Sequence, residues 1–211
     1  MHTGLIMTVT GPSGTGKNTI SQELLAADPK LQYFVTATTR EPRAYEKEGV
    51  DYYFLTQETF LTKIDAGDFI EWSNHYGNYY GALKEEVRSK IKAGIDPVSD
   101  ITWTGAREMK KSFPDEAVSI LLLPPSLEAL DERMAKRRES SKETDMSQMK
   151  RVEKMRVDMK HWQEDGYVFT NEDMKGSTLS DYDHIVINND LDATIEEIHN
   201  IIADERQKRL K

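Results

Sequence analysis

Within Gly11-Pro-Ser-Gly-Thr-Gly-Lys-Asn-Thr19 stand three glycines, a lysine and a run of small polar side chains. Glycine tolerates positive φ, so a backbone with glycine at 11, 14 and 16 can turn several N–H groups toward one anion. Lys17 and the start of a helix beside it add positive potential. The G-x-x-x-x-G-K spacing is that of a loop cradling a nucleotide polyphosphate. Asn18 stands where that pattern has Ser or Thr, whose hydroxyl would sit on Mg²⁺. Its carboxamide oxygen either coordinates the metal, reaches it through water, or falls short. An ordinary glycine turn between strand and helix is the plain alternative.

Other residues with chemical potential follow. In Thr38-Thr-Arg-Glu-Pro-Arg43 a proline stiffens the loop between two arginines, so that both guanidinium groups can converge on one phosphate; a solvated basic loop has the same pattern. Glu71 lies among apolar residues in Phe69-Ile-Glu-Trp72, where a carboxylate needs a donor, and the nearby His75 to Gly81 stretch offers tyrosine faces and hydroxyls. Arg133 and Arg137 are one helical turn apart on one face and repel unless an anion lies between them.

These residues need a frame, and the apolar periodicity supplies one. Leu5 to Thr10 reads as a strand before the glycine loop, and Ile20, Leu24 and Leu25 mark a helical face after it. Further strands are expected at 33–37, 95–101 and 117–123, the last buried on both faces, with a final one at 184–187. Pro97 and Ser99 make 95–101 a poor central strand. Helices are expected at 57–66, with Phe60, Leu61 and Ile64 inward, at 85–93 and 106–111, from Ser126 to Arg138, along Met149 to Met159, and around Ile195 to Ile202. Strands alternating with helices argue for a parallel three-layer α/β sheet. Residues 163–183 are polar and without period.

Composition narrows the function. With 28 basic and 37 acidic residues the net charge is -9, which argues against a nucleic-acid or membrane-surface binder. There is no cysteine, hence no disulfide framework, thiolate nucleophile or cysteine metal site, and the five histidines lack ligand spacing. No run of 18 apolar residues occurs, so a cytoplasmic protein is expected. At 211 residues the chain suits one domain with inserts.

Taken together, Gly11 to Lys17, Thr38 to Arg43, Gly49 to Tyr52, Phe69 to Trp72, Gly77 to Gly81, Leu123 to Ser126, the arginines after it and Asn188 to Asp192 resemble a guanylate kinase, from about Leu5 to Ala203. The resemblance implies one domain over 1–211, with a three-layer P-loop NTPase core and parallel sheet (1–38, 97–136, 154–211). It also implies an inserted mixed α+β nucleoside-monophosphate-binding lobe (39–96) and a helical lid (137–153). It implies that Gly11, Ser13, Gly14, Thr15, Gly16, Lys17, Asn18, Thr19 and Asn188 contact ATP, with Asn18 at Mg²⁺ and Asn188 on the adenine side. Arg40, Arg43, Tyr52 and Tyr80 would grip the phosphate of GMP, or of dGMP, and Thr36, Glu71 and Asp100 would read guanine. Lys17, Arg43, Arg133, Arg137 and Arg151 would act on the transferring group.

The chain departs from the family pattern at Asn18, at Tyr45 for a glycine, at Ala82 for a hydroxyl residue, and at Thr102 and Thr104 for Asp and Gln; 164–180 is additional. Two other functions compete: a kinase for another deoxy or modified nucleoside monophosphate, and a catalytically weak binding module of the same fold. Retention of Gly16, Lys17 and the arginines speaks against the second.

Overall fold

The computed structural model describes residues 4–12, 14–75, 77–140 and 181–210. Nine strands and six helices are formed among them. The apolar run after Gly4 becomes β1 (Ile6–Thr10), buried at every residue. It is the centre of a five-stranded sheet ordered β2 (Leu31–Tyr33), β7 (Asp96–Asp100), β1, β8 (Ala117–Leu123) and β9 (His184–Ile187). Every pairing in it is parallel. Parallel strands need helical crossovers, which cover both faces and account for the unbroken burial of β8.

Alternate side chains of β1 face opposite layers. Leu5, Met7 and Val9 pack with Ile20 and Leu24 of α1 (Lys17–Ala27) and with Ile198 and Ile202 of α6 (Leu191–Lys208). Ile6 packs with Met109 of α4 (Trp103–Ser112), with Phe113 just after that helix, and with Val87 of α3 (Lys84–Lys92). That second cluster also takes Ile70 and Ala82, which belong to a separate sheet. The separate sheet has the order β4 (Tyr53–Phe54), β3 (Ala37–Thr38), β6 (Asn78–Leu83), β5 (Phe69–His75). The two sheets therefore share an apolar seam.

Several expectations change in the folded chain. Residues 33–37 are not one strand: β2 ends at Tyr33 in the large sheet and β3 starts at Ala37 in the small one. The stretch between them carries the chain across. Likewise β7 is interior despite Pro97 and Ser99. Its pairing with β1 begins at Val98, so the absent N–H of Pro97 falls one residue ahead of that ladder. Leu61 of α2 (Gln57–Asp65) is 39% exposed. The short helix covers the sheet through Phe60 and Ile64, and Leu61 lies about 100° round from Phe60.

Helix starts follow the side chains available. Thr56 accepts from Thr59 N–H, Thr102 from Gly105 N–H and Asp190 from Ala193 N–H. Ser126 does the same for α5 (Leu127–Ser140), accepting from Ala129 N–H at 3.1 Å. The expected helix along Met149 to Met159, most of the lid range and the 164–180 segment lie outside the described residues. Among the described residues no helix is long and apolar enough to cross a membrane.

The C-terminal helix is locked to the sheet by charge. Arg206 bridges Asp96 at 2.7 Å and Asp28 at 2.5 Å, while Asp96, 1% exposed, also accepts from Leu5 N–H. Arg206→Ala would leave Asp96 buried without its cation. Such a loss costs about 3 kcal/mol, and a fall in melting temperature of roughly 10 °C is expected by calorimetry. An unchanged melt would show that the network carries no stability.

Candidate active site

The glycine loop closes over the C-terminal end of β1. Gly11, Gly14 and Gly16 take φ of 145°, 89° and 98°. At Gly11 proximity adds to conformation, since a Cβ would lie 2.2 Å from the Leu122 carbonyl oxygen of β8. Gly16 is the N-cap of α1 and has no side chain with which to cap it, and a helix start of this kind offers N–H groups to an anion. Lys17 Nζ folds back to donate to the carbonyls of Gly11 (2.7 Å) and Pro12 (2.9 Å), and Thr15 Oγ1 also donates to Pro12 (2.9 Å). Asn18 and Thr19 are exposed in the first turn of α1, and Ser13 lies outside the described residues.

Asn188 follows the last residue of β9, behind this loop. It is 4% exposed: Nδ2 donates to the Thr15 carbonyl at 2.8 Å, and Oδ1 accepts from Thr194 Oγ1 at 3.2 Å. Arg133 of α5 donates through Nη2 to the Asn188 carbonyl at 2.7 Å, and its Nη1 is buried without a partner among the described residues. The side chain of Arg137 and the whole of Arg151 lie outside the described residues.

On the small sheet, the structure brings Arg40, Tyr52 and Tyr80 together. The Arg40 guanidinium lies 5.6 Å from the centre of the Tyr52 ring, and the Tyr52 and Tyr80 rings meet edge to face at 6.2 Å. Glu46 completes the group. Its carboxylate accepts a fork from Arg40, at 3.0 and 2.8 Å, and also accepts the Arg43 N–H at 2.7 Å. Arg43 is exposed and donates to the Tyr45 hydroxyl at 3.0 Å. A carboxylate seated in an arginine fork marks geometry that also fits a phosphate.

Glu71 occupies the corner between the sheets. The β5–β6 register slips between Phe69 and Glu71, a bulge that re-aims the side chain. Its carboxyl then abuts the first turn of α4, where an added Cβ on Gly105 would be 3.2 Å from Glu71 Cγ. Opposite it in the ladder stands Ala82, fully buried, with no hydroxyl to offer. Burial pushes the Glu71 carboxyl up to about 7, and no hydrogen bond or ion pair to it forms among the described residues. Asp100 ends β7 beside Val9, and its Oδ1 accepts from the Tyr33 hydroxyl at 2.5 Å. Burial and then the Asp100 charge hold that tyrosine well above its ordinary range. Thr36 lies half-buried in the crossing between the sheets, its carbonyl accepting from Tyr53 N–H.

The model of the family described as Guanylate kinase matches residues 4–205. The chain belongs to the guanylate kinase family. It is 35% identical over 208 residues to a guanylate kinase of Maricaulis maris, covering 99% of this chain and 86% of that one. With a guanylate kinase of Rickettsia typhi the identity is 37% over 207 residues, 98% and 94% of the two chains. Among solved structures, a guanylate kinase from Anaplasma phagocytophilum superposes with a TM-score of 0.63 at 25% identity, covering 98% of this chain and 88% of that chain.

Three residues shape the site without having been legible as candidates. The spacing of Glu46 from Arg40 and Arg43 offered a charge pattern that could have revealed it. Tyr33 offered none, because it meets Asp100 across a long stretch of sequence, whereas Thr194 stands only six residues from Asn188 and follows it onto the next helix. Folded Glu71 keeps its proton to about pH 7, whereas an unfolded glutamate loses it near pH 4.3. Stability therefore falls as pH rises through that window. Glu71→Gln removes the penalty, so its unfolding free energy from urea titration should match wild type below about pH 4 and exceed it, by on the order of 1–3 kcal/mol, above pH 7. A difference independent of pH would mean that the carboxyl is solvated.

Proposed function

We propose that the chain phosphorylates GMP, and dGMP, at the expense of ATP by direct in-line transfer. The core (1–38, 97–136, 154–211) would hold ATP, the lobe 39–96 the monophosphate, and the lid 137–153 would close over both. The reading is carried by Glu71, a walled-in carboxyl without a donor, in the same lobe as an arginine–tyrosine group built for a phosphate. Guanine presents N1–H and N2–H₂ on one edge, and an ionised carboxylate is an acceptor that meets both. Adenine presents an acceptor there. Asp100, held by Tyr33 at the adjacent strand end, and Thr36 complete the proposed base pocket.

At the phosphate end the ligand would replace Glu46 in the Arg40 fork, with Tyr52 and Tyr80 donating from the side and Arg43 covering the outer face. The glycine loop amides, Lys17 and the first turn of α1 with Thr19 would hold the ATP β and γ phosphates. Lys17 exchanges carbonyl partners for phosphate oxygens. Arg133, Arg137 and Arg151 would neutralise the equatorial oxygens of the transferring group. No general base is needed, because a phosphate monoester with a second pKa near 6 is already an oxyanion at neutral pH.

Mg²⁺ fits the donor set. Mg²⁺ keeps several waters and binds largely through substrate phosphates, so it asks for few ligands from the protein. Asn18, exposed in the first turn of α1, offers one hard amide oxygen. When bound, the ion would offset charge on the β and γ oxygens. The net charge of -9 and absence of cysteine suit small-molecule substrates in a reducing cytoplasm rather than nucleic acid.

A coupled assay with ATP, Mg²⁺ and a panel of monophosphates should give turnover with GMP and dGMP well above AMP, CMP and UMP, and Glu71→Gln should impair GMP selectively. Equal use of AMP would sink the guanine assignment. Lys17→Ala should keep the wild-type melting temperature and lose at least about 100-fold in kcat/KM. A variant with full activity would remove the phosphate-loop role.

A further inference from the structure

We infer that Asn188 is a positioning residue, whose buried carboxamide braces the glycine loop from behind instead of meeting the nucleotide base. The inference rests on the phosphate-loop reading. The Asn188 main chain is fixed at the end of β9, where its N–H donates to the Leu123 carbonyl at 2.8 Å. Its side chain spans from Thr194 Oγ1, on α6, to the Thr15 carbonyl, in the loop. Thr194 is itself 2% exposed, and its single hydroxyl proton is shared between the Asp190 carbonyl at 2.6 Å and Asn188 Oδ1 at 3.2 Å. Both ends of the amide are thus engaged inside the protein. Gly16 completes the fit, since a Cβ there would meet Asn188 Nδ2 at 2.6 Å.

The consequence follows from peptide geometry. The bond joining Thr15 to Gly16 is trans and planar, so its C=O and N–H point in opposite directions. Drawing the Thr15 carbonyl back toward Asn188 aims the Gly16 N–H away from Asn188, out of the front of the loop. Without that hold, glycine at 16 lets the peptide turn over. A turned peptide presents a carbonyl oxygen, not an N–H, to an incoming anion. Arg133 is tied to the same residue through the Asn188 carbonyl, so loop and α5 share one anchor.

The brace acts on phosphate and not on base, which separates it from an adenine contact. The test is calorimetric titration of the full chain with inorganic tripolyphosphate and, separately, with ATP. Asn188→Leu, a neutral change of similar size, and Thr194→Val should each weaken both ligands by the same factor. That factor is about tenfold for the first and less for the second. Thr194→Ser should restore wild-type binding, and the KM for GMP should stay within about twofold of wild type throughout. If Asn188→Leu weakened ATP alone, or if Asn188→Leu and Thr194→Val bound tripolyphosphate like wild type, the bracing role would be overturned. Should Asn188→Leu fail to fold, the Thr194 pair makes the same comparison. A wild-type chain that bound neither probe would instead remove the phosphate-loop reading, and this role with it.

Discussion

Anion binding by backbone amides requires several peptide planes to be held in one orientation, and that constraint organises this molecule. Peptides at positive φ are soft, because glycine offers no side chain to pack. The loop from Gly11 to Gly16 therefore draws its rigidity from what surrounds it. The Leu122 carbonyl of β8 presses on Gly11, Asn188 at the end of β9 holds the Thr15 carbonyl, and Lys17 and Thr15 tie down the carbonyls of Gly11 and Pro12. All these supports sit at the C-terminal ends of parallel strands. The order of strands in the large sheet, with β8 next to β1 and β9 beyond it, is what brings them to one place.

Charge within the site is already matched internally. Lys17 rests on carbonyls, Arg40 on Glu46, and Arg133 on the Asn188 carbonyl. Phosphate binding is then an exchange of partners, and affinity reflects a difference between two sets of charge-assisted hydrogen bonds rather than the full strength of one. Glu71 is the exception. It sits against the first turn of α4, where the helix dipole favours negative charge, yet burial still dominates and raises its pKa to about 7. A group in that condition gains most from a ligand that brings donors.

The bulge in β5 shows how a local backbone irregularity serves the site. One extra residue between Phe69 and Glu71 lets Ile70 join the seam with Ile6, Met109 and Ala82 while Glu71 turns to α4. A regular strand would send neighbouring side chains to opposite faces. The small sheet is thus fastened to the core by the same few residues that set the position of its carboxyl.

Much of this was open to reading residue by residue. The glycine loop, the fully buried β8 and the helix cap at Ser126 rest on local pattern, spacing and propensity. Those act over a few residues, so the sequence alone determines them. Folding in three dimensions decided the rest. That residues 33–37 divide between two sheets, that Pro97 is tolerated inside a sheet and that Leu61 faces solvent depend on which element lies beside which. The same holds for the hold of Asn188 on the distant Thr15 carbonyl and for the burial that shifts Glu71. Burial and long-range hydrogen bonds arise from surfaces brought together across the chain, and no short stretch of sequence contains both sides of such a contact.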